Sequence, residues 1–572
     1  MHLQTEHANK NNTGCEKMKT TAESVDLKST QGVDRSTLKV IAAASLGTVF
    51  EWYEFTLYGA LASVIALNFF SGLDTATGFI FALLTFAVGF VMRPVGAIVF
   101  GRIGDRIGRK KTFLITIVIM GISTVAVGLL PTYEYAGILA PSLLIALRML
   151  QGLALGGEYG GAATYVSEHS TNRQRGLNTA WISATGTLGL LLAFGVILAC
   201  RYISGDDFNT WGWRIPFLFS LVLLGISISV RMGMEESPAF KKMKAEKRLS
   251  KSPLRETFLD KANLRRLVIA LFGICGGMTC AYYIAVLYPT FFMTQNLKVD
   301  PQQANTTLTL ALMTALPMFL LAGWLCDRLG RKPVLLAGFL MSALSIFPIY
   351  KGVALYANPD LMAAEQRTPV TLVTDTSQCS FMFNPTGTRT FSSPCDVAKQ
   401  ALSATGISYE TQSLPGQAHA VIKVGSAQLI SEGTVGLDAA VAKDRMGALK
   451  TSLQSQLDQA GYPLKADPEK FQRGKVFLLL MALVFCGVIS LTPVAPMLVE
   501  MFPARIRYTS MSFPYHFASG WIGGLLPTIA FALSAQMGNI YFGLWYPVAW
   551  IGVSFVVGLF FLRETRDIDI NL

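Results

Sequence analysis

The sequence has little charge and few of the residue patterns that enzymes use. Of its 572 residues, 15% are Asp, Glu, Lys or Arg and 52% are hydrophobic, whereas a soluble domain averages about 25% charged residues. Histidine occurs five times, and the eight cysteines have no metal-ligand spacing. No Gly-Lys-Ser/Thr phosphate loop and no convincing Ser-His-Asp set is present. These absences argue against a soluble protein, an ATP-driven pump, a metal site, a bound cofactor and enzyme catalysis.

Long apolar runs are what the sequence has instead. A helix needs about 20 apolar residues to cross a bilayer. We predict an all-α integral membrane protein, and exclude a soluble helical bundle because bundle helices show a polar face. The twelve predicted transmembrane helices are 39–69, 77–100, 112–131, 138–166, 177–200, 214–233, 266–290, 304–325, 334–350, 475–498, 508–534 and 541–562.

The positive charge lies in alternate loops. The net charge is +12, and Lys and Arg follow predicted spans 2, 4, 6 and 10. The loops 71–78, 131–137 and 536–540, on the other side, hold neither residue. Cytoplasmic loops carry this excess, so the pattern predicts a multi-pass protein of a bacterial inner membrane with both termini in the cytoplasm. It favours membrane orientation over nucleic-acid binding.

Two charged signatures occur twice. The turn Gly101–Lys111 (GRIGDRIGRKK) returns as Gly323–Lys332 (GWLCDRLGRK), 222 positions later. The segment Glu168–Arg175 (EHSTNRQR) returns as Glu500–Arg507 (EMFPARIR), 332 positions later. Matched repeats of this kind predict two related halves of six helices each.

The two offsets differ by 110 residues, which predicts an insertion in the second half. The stretch 351–474 is polar and lies after span 9, so we predict a small extracytoplasmic α+β domain. The predicted organisation begins with a disordered cytoplasmic tail (1–37), a first six-helix bundle (38–233) and a basic cytoplasmic linker (234–265). The second bundle follows as three helices (266–350), the insert (351–474) and three more helices (475–562), and the chain ends in a short cytoplasmic tail (563–572).

Within the insert, local patterns predict strands at Val370–Val373 and Ala420–Val424 and helices at Asp396–Ala404 and Val435–Ala460. Cys379 and Cys395 lie sixteen residues apart. On the oxidising side of an inner membrane, two nearby cysteines favour a disulfide over two buried thiols.

The repeated turns, the basic central linker and the two sets of six spans resemble the major facilitator superfamily. Three segments narrow the resemblance to its metabolite:proton symporter family: Phe50–Phe55 (FEWYEF), Met92–Gly96 (MRPVG) and Arg148–Gly161 (RMLQGLALGGEYGG). That family includes proton symporters of dicarboxylates, citrate, shikimate, and proline or betaine. The resemblance covers the chain except 1–37 and 351–474, and implies no role for the insert.

Charges inside predicted spans mark functional positions because they are costly in a membrane. Glu51 and Glu54 are three apart on one face of span 1, and we predict that one of them carries the coupled proton. A buried carboxylate beside an arginine can be poised between ionised and neutral forms. Arginine also binds a carboxylate through two parallel hydrogen bonds. We predict the substrate-binding residues Arg93, Arg148, Gln151, Tyr58 and Glu158.

Two further expectations concern these spans. The charges can instead serve only to lock helices together, with Arg148 paired to Glu158 or the span 1 glutamates paired to Arg93. The aromatic residues Tyr282, Tyr283 and Tyr288, with Phe513 and Tyr515, can line the cavity or simply pack.

The repeated turns predict a gate at the inner face. Asp105 can cap a helix N-terminus, where the helix dipole favours an anion. We expect Arg109 to pair with Glu168 and Arg331 with Glu500, with Asp327 matching Asp105. Such pairs would hold the outward-open state and separate when the halves rock. The alternative is that these basic residues only fix topology.

Together these patterns predict a symporter that imports a small carboxylate-bearing metabolite by alternating access. The proton gradient would drive it, and its partners would be the substrate, protons and membrane lipid. A proline/betaine-type osmolyte carrier, a proton-independent uniporter and a receptor-like protein using the insert to bind a periplasmic ligand or partner stay open. The sequence gives no sign of nucleic-acid binding.

Overall fold

A computed structural model describes residues 35–71, 85, 87–382 and 391–570. Most of the predicted tail and the start of predicted span 2 lie outside this range. The first half contains α1 Arg35–Ala60, α2 Ala62–Phe69, α3 Arg93–Ile107, α4 Arg109–Leu129, α5 Tyr133–Ala136, α6 Leu139–Glu168, α7 Arg175–Ser204 and α8 Arg214–Met232.

The linker after α8 holds two short helices, α9 Pro238–Ala245 and α10 Pro253–Phe258. The second half contains α11 Lys261–Ala270, α12 Gly276–Val286, α13 Tyr288–Phe291, α14 Pro301–Met313, α15 Ala315–Leu329 and α16 Arg331–Ala357, and after the insert α20 Arg473–Leu491, α21 Val494–Met501, α22 Arg507–Phe517, α23 Leu526–Met537 and α24 Trp545–Phe561.

Ten helical segments among the described residues are long and apolar enough to cross a membrane, and they match predicted spans 3 to 12. Helices α1 and α2 cover predicted span 1 but are not among the ten. Their stretch carries Glu51 and Glu54, which lower its hydropathy. The helices face outward with apolar side chains such as Leu198, Leu344 and Phe560, as lipid contact requires.

The two halves meet mainly where α3 packs against α22 and α7 against α15. Glycines permit the close approach. A β-carbon at Gly176 would lie 2.8 Å from the Gly323 carbonyl oxygen, and one at Gly101 would lie 2.7 Å from the Thr509 α-carbon. Small residues at helix crossings let backbones come together in a membrane. Larger side chains at these positions would push the halves apart.

In the second half, the described residues include π-helical turns at Leu271–Cys275, Phe292–Asn296 and Ala518–Gly523. Such turns are rare and occur often at functional sites. The first and third interrupt the spans that face the centre of the molecule, so they shift the side chains that follow them.

The insert contains helices and a four-stranded sheet. Its helices are α17 Pro359–Arg367, α18 Pro394–Thr405 and α19 Ala439–Gln459, and its strands are β1 Val370–Thr374, β2 Tyr409–Ser413, β3 Ala420–Val424 and β4 Ala427–Ser431. The strand order is β2-β1-β3-β4, with β1 parallel to β2 and the other pairs antiparallel. The strands β1 and β3 lie where the sequence predicts strands. The segments β2, β4 and α17 carry no such prediction.

The insert lies on the second half. The Tyr409 N–H donates to the Gly538 carbonyl (2.6 Å), and the Ala466 N–H donates to the Lys298 carbonyl (3.0 Å). The Lys399 ammonium donates to the Gln536 carbonyl (2.8 Å). Because α16 runs from the Gly330 turn to the insert, the insert and the repeated turns are at opposite ends of the molecule. We call these ends the insert face and the turn face.

Candidate functional site

A central cavity lies between the two halves. The first half lines it with Thr48, Glu51, Trp52, Phe55, Arg93, Tyr159, Ile182 and Ser183. The second half lines it with Met278, Thr279, Tyr282, Tyr283, Leu491, Tyr515 and Ser519. The cavity therefore combines a carboxylate, a guanidinium and several aromatic rings.

Glu51 and Arg93 are the charged residues of this cavity. The Arg93 guanidinium lies 4.7 Å from the centre of the Phe90 ring and 5.4 Å from that of Phe55. It interacts electrostatically with Glu51 and with Tyr283 on the second half. Arg93 is 7% exposed. A planar guanidinium held between rings at the cavity wall can bind an anionic group without changing its position.

The tyrosines Tyr282, Tyr283 and Tyr515 line the cavity, whereas Tyr288 and Phe513 do not. Tyr515 stacks on Tyr159 of the first half, with ring centres 3.8 Å apart and planes 8° from parallel. This stack joins the halves beside Glu51.

A second polar cluster lies inside the first half, away from the cavity lining. The Arg148 guanidinium donates to Gln151 Oε1 (2.8 Å), and Gln151 Nε2 donates to the Thr124 hydroxyl (2.8 Å). Arg148 also lies 4.2 Å from the centre of the Tyr58 ring. Glu54 is buried beside Arg148 and Thr124. The structure thus separates Glu54 from Glu51 and places Arg148, Gln151 and Tyr58 behind the cavity wall.

Glu158 makes a different pair from the one considered above. It forms an ion pair with Arg231 of α8 and accepts from the Thr116 hydroxyl (3.0 Å). The pairing of Glu158 with Arg148 is wrong, because ten residues along one helix separate them by about 15 Å. Glu158 does not line the cavity. Contact of Glu158, Arg148, Gln151 and Tyr58 with a substrate therefore stays a prediction.

At the turn face, two aspartates each cap a helix of the opposite half. Asp105 accepts hydrogen bonds from the Tyr508 N–H (3.2 Å), the Thr509 N–H (2.9 Å) and the Thr509 hydroxyl (2.7 Å) at the start of α22. Asp327 accepts from the Gly176 and Leu177 N–H groups (both 2.8 Å) at the start of α7. Carboxylates satisfy the free N–H groups of a first helical turn.

The expected arginine–glutamate pairs are both present. Arg109 lies 3.7 Å from Glu168, and Arg331 lies 3.3 Å from Glu500. These two pairs are confirmed, and each lies within one half.

The pairs that join the halves are different and were missed by the sequence reasoning. Arg175 pairs with Glu500 (2.7 Å), and Arg507 pairs with Glu168 (2.7 Å). The signal was available, since both arginines belong to the repeated second signature. What the sequence does not give is which glutamate faces which arginine across the interface.

Two further glutamates were missed. Glu236 accepts from the Arg109 N–H (3.0 Å), and Glu564 accepts from the Arg331 N–H (2.9 Å). The turns leave room for these carboxylates because Gly108 and Gly330 have no β-carbon; one at Gly108 would collide with Glu236 Oε2, and one at Gly330 would lie 2.5 Å from Glu564 Oε2. Their φ values of 115° and 107° also suit glycine. Each glutamate closely follows the last span of its half, and that repeated position is the signal for it.

The structure joins Cys379 to Cys395 in the insert, so the predicted disulfide is confirmed. Cys395 is the second residue of α18 and is buried. The bond fixes Cys379 to α18, the helix that packs on α23.

Comparison with known proteins identifies the family. The profile of "Sugar (and other) transporter" matches residues 39–257, and that of "Major Facilitator Superfamily" matches residues 270–364. The chain is 37% identical to the shikimate transporter of Escherichia coli K12 over 312 residues, which are 53% of this chain and 70% of that protein. The chain belongs to the major facilitator superfamily.

Other relatives of the chain are also described as transport proteins. The inner membrane metabolite transport protein YhjE of E. coli K12 is 37% identical over 321 residues, covering 55% of this chain and 72% of that protein. The proline/betaine transporter of E. coli K12 is 37% identical over 308 residues. That match covers 52% of this chain and 61% of that transporter, so the chain spans about three fifths of it.

Solved structures of the superfamily share the fold. The proton:xylose symporter XylE superposes with a TM-score of 0.58 at 15% identity, covering 94% of this chain and 98% of that one. A partially occluded inward-open form of XylE from E. coli gives 0.53 at 14% identity, covering 93% and 99%. The matching profiles and relatives are those of transporters rather than enzymes.

Proposed function

We propose that the protein is a proton-coupled secondary transporter that imports a small carboxylate-bearing metabolite across a bacterial inner membrane by alternating access. The observation that carries this proposal is the placement of Glu51 and Arg93 in one cavity between the halves. Relatives described as inner-membrane metabolite and shikimate transporters support it. The positive loops support a cytoplasmic turn face and a periplasmic insert.

In this mechanism Arg93 binds the substrate carboxylate, and Glu51 is the proton-coupling residue of the cavity. An ionised Glu51 competes with the substrate anion for Arg93, because both are attracted to the same guanidinium. Protonation of Glu51 frees Arg93 for the substrate. Binding of anion and proton is then mutually favourable, and this reciprocity is the requirement for symport. Glu54, beside Arg148, is the second proton site that the proposal allows.

Alternating access would use the turn-face clusters as the gate. The cross-half bonds of Asp105, Asp327, Glu168 and Glu500 hold this face closed. Opening requires that all of them separate together as the halves rock. The tyrosine stack of Tyr159 and Tyr515 separates in the same motion.

A zwitterionic osmolyte such as proline or glycine betaine is the second candidate substrate. The observation that favours it is the ring of aromatic side chains, with Trp52, Tyr282 and Tyr283 near Glu51. A quaternary or secondary ammonium group can bind aromatic faces while its carboxylate binds Arg93. The proline/betaine transporters among the relatives agree with this choice.

The test uses purified protein in liposomes that enclose a pH-sensitive dye. Dicarboxylates, citrate, shikimate, proline and glycine betaine are added outside one at a time. Internal acidification with one compound, lost in Glu51→Gln and Arg93→Ala, supports symport and identifies the substrate class. Entry of labelled compound without acidification would contradict proton coupling and support uniport.

The receptor-like alternative is tested by deleting 359–467 and joining the ends of α16 and α20 with a short linker. Retained transport makes the insert an accessory. Loss of transport in a folded protein, with a ligand that binds the insert, favours a capture or receptor role.

A further inference from the structure

The charges that the structure describes inside the first half, away from the turn face, include three carboxylate–arginine sets. Glu54 lies with Arg148, Glu51 with Arg93, and Glu158 with Arg231. Along α6, Arg148 is twenty residues from the turn-face residue Glu168 and Glu158 is ten. At 1.5 Å per residue these separations are about 30 and about 15 Å. Glu158 is next to Tyr159, which lines the cavity, so Glu158 lies behind the cavity wall and about 15 Å from the turn face.

Glu158 is held against α1, one helical turn from Glu51. A β-carbon at Gly47 would lie 2.7 Å from Glu158 Oε1 and would collide with the Arg231 guanidinium. Gly47 and Glu51 are four apart, hence on the same side of α1. Glu51 interacts electrostatically with both Glu158 and Arg231. The absence of a side chain at Gly47 is what brings the Glu158–Arg231 pair next to the helix that carries Glu51.

The groups that face Glu158 come from four other helices. Arg231 comes from α8 and the Thr116 hydroxyl from α4, while Glu51 and Glu54 act from α1. The fourth contribution is Tyr508 of α22, from the second half. Arg231 is fixed in turn, since it donates to the Phe113 carbonyl (2.7 Å) and lies 3.5 Å from the centre of the Phe113 ring.

Tyr508 connects Glu158 to the gate. Its hydroxyl donates to the carbonyl of Gly157, the residue before Glu158 (2.6 Å), while its N–H donates to Asp105. One residue of the second half thus closes the turn face and covers the neighbourhood of Glu158. When the halves separate there, Tyr508 leaves both partners at once and water can reach Glu158 from the turn face.

We propose that Glu158 is a second proton-carrying carboxylate, which takes the coupled proton from Glu51 and releases it at the turn face, with Arg231 as its positioning residue. In the transfer the Glu51 carboxyl gives up its proton and the Glu158 carboxylate accepts it, which leaves Glu51 ionised beside Arg93. The proton of Glu158 passes to water after Tyr508 has moved away, and Glu158 pairs again with Arg231.

This inference rests on the proposed function, and the experiment separates the two. Liposomes carrying wild type, Glu158→Gln, Glu158→Asp or Thr116→Val take up labelled glycine betaine, proline or shikimate, whichever wild type accumulates under an inward proton gradient. The same vesicles are loaded with unlabelled compound to measure exchange, which needs no net proton release. Thr116→Val is the matched control, because it removes a hydrogen bond to Glu158 and keeps the carboxylate.

The expected result is that Glu158→Gln lowers gradient-driven accumulation by roughly tenfold or more and leaves exchange within about twofold. Glu158→Asp and Thr116→Val should keep accumulation. Accumulation by Glu158→Gln at the wild-type level would overturn the relay while leaving symport intact. Wild type that shows no proton coupling would instead refute the proposed function, and the relay with it.

Because Glu158→Gln leaves Arg231 buried without its partner, it can fail to fold. The double variant Glu158→Gln with Arg231→Gln removes both charges and leaves no unpaired charge buried, so it tests the relay separately from the folding defect. If the double variant exchanges substrate but does not accumulate it, the relay is supported. If it recovers accumulation, the pair is structural and the proposal is wrong. Arg231→Lys should retain accumulation with a changed dependence on internal pH, a shift that a purely structural pair would not produce.

Discussion

The two halves of the molecule are alike at the turn face and unlike inside the membrane. At the turn face, Asp105 matches Asp327, and the pair Glu168–Arg507 matches Glu500–Arg175 in partners and distances. Inside, the first half holds the three carboxylate–arginine sets, with Glu51 half-buried at the cavity, whereas the second half contributes rings and hydroxyls to the cavity. We infer that the halves share the work of gating and that proton chemistry belongs to the first half.

The largest effect is expected from removing the charges of the cavity, which tests whether proton chemistry belongs to the first half. Glu51→Gln should abolish gradient-driven accumulation, because no other described residue that lines the cavity carries a carboxylate. Arg93→Ala should weaken substrate binding by roughly a hundredfold, the cost of losing one partner of a buried charge pair. Accumulation and exchange in liposomes measure both effects.

The matched control is Ser519→Ala, because Ser519 lines the same cavity from the second half and carries no charge. It should change accumulation by less than about threefold, the effect of one neutral hydrogen bond. An effect of Ser519→Ala as large as that of Glu51→Gln would mean that the second half also takes part in coupling.

The next largest effects test the likeness of the two halves. Asp105→Asn and Asp327→Asn each weaken a charge-assisted helix cap that is worth about 1.5–3 kcal/mol. Each should shift the population toward an open turn face by roughly tenfold, and the two shifts should be similar. Distances between spin labels at the exposed positions Arg173 and Arg328 report the opening.

Arg102→Gln is the control for these variants, because Arg102 belongs to the same turn and is exposed. It should leave the label distances unchanged. If Asp105→Asn opened the face while Asp327→Asn did not, the halves would be unequal as gates and the apparent symmetry would be only geometric.

The repeated signatures were enough to predict the pairs within each half, since partners on adjacent spans of one bundle are close in any arrangement. They did not predict the cross-half pairs Arg175–Glu500 and Arg507–Glu168, because these depend on how the bundles meet. Docking geometry comes from packing along α3–α22 and α7–α15, which no short motif encodes.

The interior charges show a related limit. Residues three apart on a helix differ by about 60° in direction, so Glu51 and Glu54 were expected on one face. Helix α1 lies where the cavity and the first-half interior meet, and there 60° is enough to give the two glutamates different surroundings. Arg231 was missed because it lies at the end of a span, where a basic residue is ordinarily interpreted as a marker of topology.

A smaller effect on transport is expected from the insert, because its backbone hydrogen bonds to Gly538 and Lys298 join it to the second half, whereas the proposed coupling residues lie in the first half. Cys379→Ser with Cys395→Ser opens a link across a separation of 16 residues, which should lower insert stability by about 3 kcal/mol. Accumulation should stay within about twofold of wild type. Limited proteolysis of the insert, with and without reductant, measures the first effect, and liposome uptake measures the second. A loss of coupling in the double serine variant would show that the insert acts on the cavity.

The smallest effect concerns pH at the insert. Burial raises the pKa of the Glu365 carboxyl above its ordinary value of 4.5, against the opposing hydrogen bond that the Ser408 N–H donates to it (2.8 Å). The folded insert thus favours the protonated form. Its stabilising contribution is present below pH 4.5 and is lost as the pH rises through the folded pKa. Glu365→Gln should remove this dependence.

Hydrogen exchange of α17 and β2 in the intact protein, compared between wild type and Glu365→Gln at each pH, measures this pH dependence of insert stability. Substrate accumulation should be the same in both proteins at every pH, because Glu365 lies in the insert rather than among the first-half charges. A difference in accumulation that follows the titration of Glu365 would extend pH sensing to the second half and break the division of roles between the halves.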